Sequence, residues 1–465
     1  MVYCDLAWQS FLGRQLLAGR SLYSDIAVGE MHPPLYTWLA AGFAAAGRAL
    51  GVSTSRLFLV WTAVATCAAV VVAWRLFGGG LLVAVAFAFA GVAAHGYYFA
   101  GGEQLAVAFA LPYVAMTARL ANDENDIGRK QRLAISALAA FGLAMKPQFV
   151  LLWLGAELYL ASQRGWSTLF RAECLLMPVI WAAYFILTYR LTPHYFDALI
   201  WAVPLYQEFG RAPLDRIVTS WRTALAGSAL LMFLLRKPEG ARHHLVVLLL
   251  VGTAAMWVAT VSQLKGWPTH WLPVEALSGA ALILCLPRRY EAFGAPFIAL
   301  FALIWMNLGL AAQNAATSRD PSNFPATVEI VHRWAPNGPV LALSGELAIG
   351  FPLINVTGAE WTSPFACFWM LPGLHPFYRA NPSGFHYHSP TDWSPAERLV
   401  YDNLWRGITE RPPRIIFLER DRPNGFSYRA FFEADPRIRH LLTSFVVVDR
   451  VGSFHVLIPA RQQPS

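Results

Sequence analysis

The chain has 465 residues, of which 56% are hydrophobic and only 14% charged, whereas a soluble globular protein is about a quarter charged. A chain of this composition, with a mean hydropathy of +0.42, cannot cover itself with polar surface. Its net charge of +8 is not gathered into a basic helix or stripe with interleaved aromatics, so no nucleic-acid partner is expected; the excess lies in short loops between apolar segments, where it sets membrane orientation.

Charges up to about residue 311 form short islands between apolar runs, and after about residue 319 they are spread evenly. The predicted fold class is therefore a polytopic α-helical membrane domain over 1–318, with a first external loop at 1–33, followed by a small soluble α/β domain over 319–465. In the loop, Trp8, Phe11, Leu12 and Leu16 fall at helical spacing with Gln9, Arg14 and Gln15 opposite, which predicts a short helix lying in the membrane interface. The loop also carries three carboxylates, Asp5, Asp25 and Glu30, and then His32-Pro33-Pro34. Asp5 reads equally well as an N-cap of that helix, Asp25 as a turn residue and Glu30 as a solvated loop acid.

A spanning helix needs roughly 17 to 25 mostly apolar residues. Spans are predicted at 57–76, 81–98, 104–120, 148–162, 172–189, 218–235, 245–263, 269–286 and 291–311, with 34–50 and 133–145 as partial or tilted segments. Arg75, the Arg119–Arg132 group, Arg164 and Arg171, the Arg236–Arg242 group, and Arg288 and Arg289 then fall on one side, which the positive-inside rule makes cytoplasmic. The opposite side receives residues 1–33, the turn from Gly96 to Glu103, Lys146, the 190–217 loop, the 263–270 loop and the C-terminal domain. The expected location is the cytoplasmic (inner) membrane, multi-pass, with an extracytoplasmic C-terminal domain. Because residue 1 stands in an external loop, a first helix encoded upstream is expected as well.

Two further polar sites face the same side. Lys146-Pro147 closes a short helix, and an ionisable residue at the edge of an apolar bundle is a functional hypothesis by default, with snorkelling to the interface as its alternative. The segment from Gln263 to Pro273 holds Lys265, Trp267, His270 and Trp271; the tryptophans read as an interfacial belt, and Lys265 with His270 as cations suited to a phosphate leaving group. His194, Glu208, Arg211 and Arg216 match no ligand set, and His243-His244 falls on the cytoplasmic side. His375, His386 and His388 read as an irregular loop before a metal site, the five cysteines (Cys4, Cys67, Cys174, Cys285, Cys367) as packing residues, and Asn355-Val356-Thr357 as a glycosylation acceptor by pattern only. In the C-terminal part, strands are expected at 340–343, 415–418, 445–448 and 454–458, the last two as a hairpin, with helices at 326–334 and 395–405.

An early carboxylate in the first external loop, a helix ending in Gly19-Arg20-Ser21-Leu22-Tyr23-Ser24-Asp25, and Pro33-Pro34-Leu35 leading into apolar sequence resemble the membrane glycosyltransferases of the C superfamily, among them the protein mannosyltransferases and aminoarabinose transferases. The resemblance covers 1–311 in layout, and its specific motifs lie in 5–36. It implies a GT-C-like membrane fold and an inverting glycosyltransferase that moves a sugar from a polyprenyl-phosphate donor to a glycan, lipid or protein acceptor in the cell envelope. It also implies Asp5 as general base, with Asp25 and Glu30 as further catalytic candidates, and Lys146, Lys265 and His270 as contacts of the donor phosphate. His32, Gln263 and Glu103 are candidates for the substrate loop. No cofactor is required, although a divalent cation is compatible with the carboxylates. Asp5-Leu6 replaces the adjacent Asp-Glu pair of the protein mannosyltransferases, and no Lys follows His32-Pro33-Pro34, which argues against a protein acceptor. Two other readings remain open: a lipid or solute transporter or flippase, and a non-catalytic membrane protein that presents its C-terminal domain.

Overall fold

A computed structural model describes residues 4–78, 80–287, 324–374, 385, 387–421 and 425–462. The expected span at 291–311, Arg288, Arg289, His375 and His386 lie outside the described residues. In chain order the helices of the first part are α1 (Cys4–Leu17), α2 (Leu35–Leu50), α3 (Thr54–Phe77), α4 (Leu81–Gly91), α5 (Gly102–Ala121), α6 (Arg129–Leu143), α7 (Val150–Arg164), α8 (Ala172–Leu191), α9 (His194–Glu208), α10 (Leu214–Val218), α11 (Trp221–Arg236), α12 (Ala241–Gln263) and α13 (Pro268–Leu284). Among the described residues α3, α5, α8 and α12 are long and apolar enough to cross a membrane. Within those four, α5 is the centre of the bundle, with 89% of its apolar window buried, whereas α8 is peripheral at 17%.

Several expected spans are reshaped. The stretch 81–98 is not one helix: α4 ends at Gly91, and a 3-10 segment, Ala93–Tyr98, follows with Gly96 at φ 45, ψ −117, a conformation that favours glycine. At about 1.5 Å per residue, eleven residues cover only about half of the ~30 Å hydrocarbon thickness. The stretch 218–235 is divided at Ser220, whose hydroxyl caps α11 by accepting from Thr223 N at 3.3 Å. The 190–217 loop is largely helical, as α9 and α10.

The first helix departs most from expectation. It does not lie with one face on a membrane surface, because Leu6 through Gly13 are all buried. Its polar face enters the bundle: Thr37 Oγ1 donates to Gln9 Oε1 at 2.5 Å, and Ser55 Oγ to Ser10 Oγ at 2.9 Å. Its apolar face, with Trp8, Phe11 and Leu12, packs into the C-terminal domain.

That domain contains α14 (Phe324–Trp334), β1 (Pro339–Leu343), α15 (Leu353–Thr357), β2 (Glu360–Trp361), α16 (Pro395–Glu410), β3 (Ile415–Glu419), α17 (Tyr428–Glu433), α18 (Pro436–Thr443), β4 (Phe445–Val451) and β5 (Phe454–Pro459). The sheet order is β2-β1-β3-β5-β4, parallel across β2, β1 and β3 and antiparallel from β3 to β4. All four expected strands are present, and the hairpin turns at Gly452, whose φ of 57 suits a residue without a Cβ. Side chains alternate across the sheet. Leu341, Leu343, Ile416, Leu418 and Leu457 pack under α16, α17 and α18, while Val340, Ala342, Ile415, Phe417, Val456 and Ile458 share a core with Trp8, Phe11, Leu12, Leu22, Tyr23 and Ile26. Asn355 does not stand open as a glycan acceptor. Its amide donates to Ala7 O at 2.7 Å and accepts from Arg14 Nη2 at 2.6 Å, clamping α15 to α1.

The α1–α2 contact depends on Gly13, because a Cβ there would lie 2.5 Å from the backbone of Ala40, while one at the exposed Gly42 of α2 meets nothing within 4 Å. Gly13→Ala should therefore destabilise the protein by about 1–3 kcal/mol through overpacking, and Gly42→Ala should be neutral or stabilising by up to about 1 kcal/mol. Melting temperatures of the two variants in one detergent check the contrast, and equal temperatures would contradict the packing.

Candidate functional site

Seven of the polar groups singled out in the sequence, Asp5, Glu30, His32, Glu103, Lys146, Gln263 and His270, lie near one another, on the first turns of α1 and α5, the loop before α2, the α6–α7 link, the end of α12 and the start of α13. Asp5 lies inside the first turn of α1, not ahead of it as a cap, and there a carboxylate complements the positive end of the helix. The Cys4 thiol is directed at its Oδ1 at 4.0 Å.

Glu30 and His32 form a pair. Glu30 Oε1 accepts from His32 Nδ1 at 2.5 Å and from the backbone N–H groups of Met31 and His32, each at 3.1 Å; Oε2 accepts from Trp8 Nε1 at 3.0 Å. Burial opposes the Glu30 charge, but the His32 charge and these hydrogen bonds outweigh it and hold its pKa at about 2. Burial likewise opposes protonation of His32, and the adjoining Glu30 carboxylate overcomes it and raises the pKa, with Lys146 opposing and Asp5 assisting. The loop is held by Tyr23 Oη donating to His32 O at 2.8 Å and by Val28 N donating to Pro364 O at 3.1 Å. At Gly29, φ is 79 and a Cβ would lie 2.5 Å from the Trp201 ring, so only glycine lets the loop pass.

Asp25 has a separate place. Its Oδ2 accepts from Ser21 N at 3.0 Å and closes a turn whose Ser24 carbonyl accepts from Arg406 Nη2 at 2.5 Å, so it shapes the loop against α16. Glu103, in the first turn of α5, is 9% exposed and accepts from the Lys146 ammonium. Its charge and that of Asp5 both reach Tyr36, whose hydroxyl donates to Ala100 O.

Gln263 and His270 meet at Tyr206 of α9. The Tyr206 hydroxyl donates to Gln263 Oε1 at 3.1 Å and accepts from His270 Nε2 at 3.3 Å. His270 Nδ1 is buried and has no hydrogen-bond partner among the described residues. Glu103, Gln148, Thr260, Gln263 and His270 line a small pocket of about 240 Å³, counted with its open mouth. Lys265 is buried: its ammonium donates to the carbonyls of Tyr206, Gln207 and Phe209, lies 4.5 Å above the Tyr206 ring and braces the C-terminal end of α9, and its charge reaches His270.

Of the remaining histidines, His388 Nδ1 meets Glu397 Oε1 at 3.0 Å and His244 Nδ1 meets Tyr159 Oη at 2.7 Å. Among the described residues no three His, Cys, Asp or Glu side chains are gathered for a metal ion. Sequence reasoning missed Trp8, Gln148 and Tyr206, which carry no distinguishing signal in one dimension. It also missed Glu275, which pairs with Arg222. A lone acid inside the apolar stretch 269–286 was the available signal. No family model and no curated protein matches this sequence.

The Glu30–His32 pair makes stability depend on pH in a defined window. Glu30, lowered from 4.5 to about 2, contributes in full above 4.5 and loses its contribution as pH falls toward 2; His32, raised from 6.5, contributes in full below 6.5 and loses it as pH rises through the raised value. The melting-temperature difference between wild type and His32→Gln should therefore be largest between pH 4.5 and 6.5 and shrink on either side. A difference independent of pH would show that the ion pair contributes nothing.

Proposed function

We propose that this protein is a GT-C-like inverting glycosyltransferase that moves a sugar from a polyprenyl-phosphate donor to an envelope acceptor at the outer face of the cytoplasmic membrane. The observation that carries the reading is the meeting of Asp5, the Glu30–His32 pair and the Glu103–Lys146 pair at one end of an apolar bundle, beside the C-terminal domain. A transporter would instead place its ionisable groups around a midplane cavity formed by interrupted helices.

In this reaction Asp5 accepts the proton of an acceptor hydroxyl as that oxygen attacks the anomeric carbon. The bond from that carbon to the phosphate oxygen breaks, and its electron pair leaves with the polyprenyl phosphate. Protonated His32 and Lys146 stabilise the charge that builds on the leaving phosphate. Each is held by a carboxylate, Glu30 or Glu103, which keeps the cation oriented before the donor arrives. Lys265 acts indirectly by fixing α9, and so Tyr206, Gln263 and His270.

Two experiments test the reading. In reconstituted membranes with a polyprenyl-phosphate sugar, Asp5→Asn should lower turnover by about 10²-fold or more while donor binding stays near wild type; Lys146→Gln should weaken both, because the ammonium faces phosphate in ground and transition states alike. A near-normal rate for Asp5→Asn would remove Asp5 from the chemistry, and absence of transfer by the wild type would end the proposal. Orientation is tested in a cysteine-free background: cysteines placed in loop 122–128 should react only after the inner face is opened, and cysteines placed in 387–462 should react from outside. Reversed labelling would put the site in the wrong compartment for a polyprenyl-linked donor.

A further inference from the structure

We propose that Trp8 is a positioning residue through which the C-terminal domain sets the geometry of the Glu30–His32 pair. Its role in turnover rests on the glycosyltransferase reading, whereas the geometry stands without it. A carboxylate turns readily about its terminal torsion, and a bond to one oxygen alone leaves that torsion loose. Here both oxygens are engaged: Oε1 by His32 Nδ1 and two backbone N–H groups, and Oε2 by the Trp8 indole at 3.0 Å. With the carboxylate plane held, Oε1 stays directed at His32 Nδ1, and the rest of the imidazole is presented outward on a side chain that is 46% exposed.

Trp8 is in turn held from the C-terminal domain. It is 2% exposed, and its ring lies 4.9 Å, edge-on, from that of Phe351, which is fully buried and also packs on Phe11 at 5.2 Å and Trp361 at 5.2 Å. The Asn355 clamp on Ala7 and Arg14, together with the close approach of Gly13 to Ala40, prevents α1 from turning independently of either neighbour. A displacement of the domain thus reaches His32 through Phe351, Trp8 and Glu30. An acceptor bound by the domain would act along the same path.

The charged and titratable groups around the pair come from every adjoining element. Asp5 of α1, Glu103 of α5, Lys146 of the α6–α7 link and His270 of α13 interact with His32, and Tyr23 of the same loop, Tyr195 of α9 and Cys367 of the domain interact with Glu30. None of these is altered by Trp8→Phe, which keeps a ring against Phe351 and removes the indole donor.

The test is the His32 titration followed by NMR of imidazole-labelled full-length protein in detergent, with the resonance assigned by His32→Gln. Trp8→Phe frees the Glu30 carboxylate, so its hold on the His32 proton weakens and the His32 midpoint should fall by about half a pH unit or more. Phe351→Leu leaves the indole in place but loosens its seat, and should move the midpoint in the same direction. A purely structural role would lower the melting temperature of both variants and leave the midpoint unchanged; that result, in protein that still melts cooperatively, would overturn the proposal. Should Trp8→Phe not fold, an unmoved midpoint in Phe351→Leu overturns it equally. The titration needs no substrate. Shifted midpoints without any sugar transfer would keep this inference and end the glycosyltransferase reading, and normal transfer with unmoved midpoints would do the reverse.

Discussion

One face of the five-stranded sheet is completed by the far end of the chain. Val340, Ala342, Ile415, Phe417, Val456 and Ile458 present an apolar surface that α14, α15 and the start of α9 cover in part, and Trp8, Phe11, Leu12, Leu22 and Ile26 pack into the same core. Each of these side chains contributes roughly 1.5–3 kcal/mol when taken from water, so the N-terminal segment and the domain fold as one core. The first loop is therefore a layer between the apolar helices and the sheet, and its polar residues are oriented from both sides.

The helical bundle has its own constraint in buried ion pairs. Arg171 of the α7–α8 link holds Glu157 of α7 at 2.8 and 2.9 Å, Tyr113 of α5 donates to the same carboxylate, and Glu173 of α8 lies 3.4 Å from both Arg171 and Arg132. Such a network joins four helices at one register. Its net contribution to stability is small after desolvation, but removing one member leaves a buried charge alone, which costs about 3–5 kcal/mol. Arg222 and Glu275 tie α11 to α13 in the same way.

These two constraints bring the site together. α5 carries Glu103 at its first turn, the α6–α7 link brings Lys146 to it, and α12 and α13 place Gln263 and His270 against Tyr206. The sheet domain, acting through α1, sets Glu30 and His32 beside them. The resulting cations are each matched by a carboxylate. Such matching lets positive charge persist in a partly buried place.

The sequence alone determined the apolar class of the first part, most of its helices, the four main strands and several of the polar residues at one end of the bundle. Each of these is local: an apolar run of sufficient length, a period of two or 3.6, or a polar residue where hydrocarbon is expected. It misread α1 as an interfacial helix because an amphipathic pattern reports two faces without saying what covers each, and from Leu6 to Gly13 both faces are buried. It read 81–98 as continuous because composition does not register the turn of backbone at Gly96. It carried no sign that the Lys265 ammonium reaches the carbonyls that end α9, a contact that packing decides. Only the tertiary structure decided that Trp8 meets Glu30, that Lys146 meets Glu103 and that Asn355 clamps α1, since these contacts join positions 22, 43 and 348 residues apart. Nothing in the local pattern of either partner encodes such a pairing, and packing of the intervening elements does.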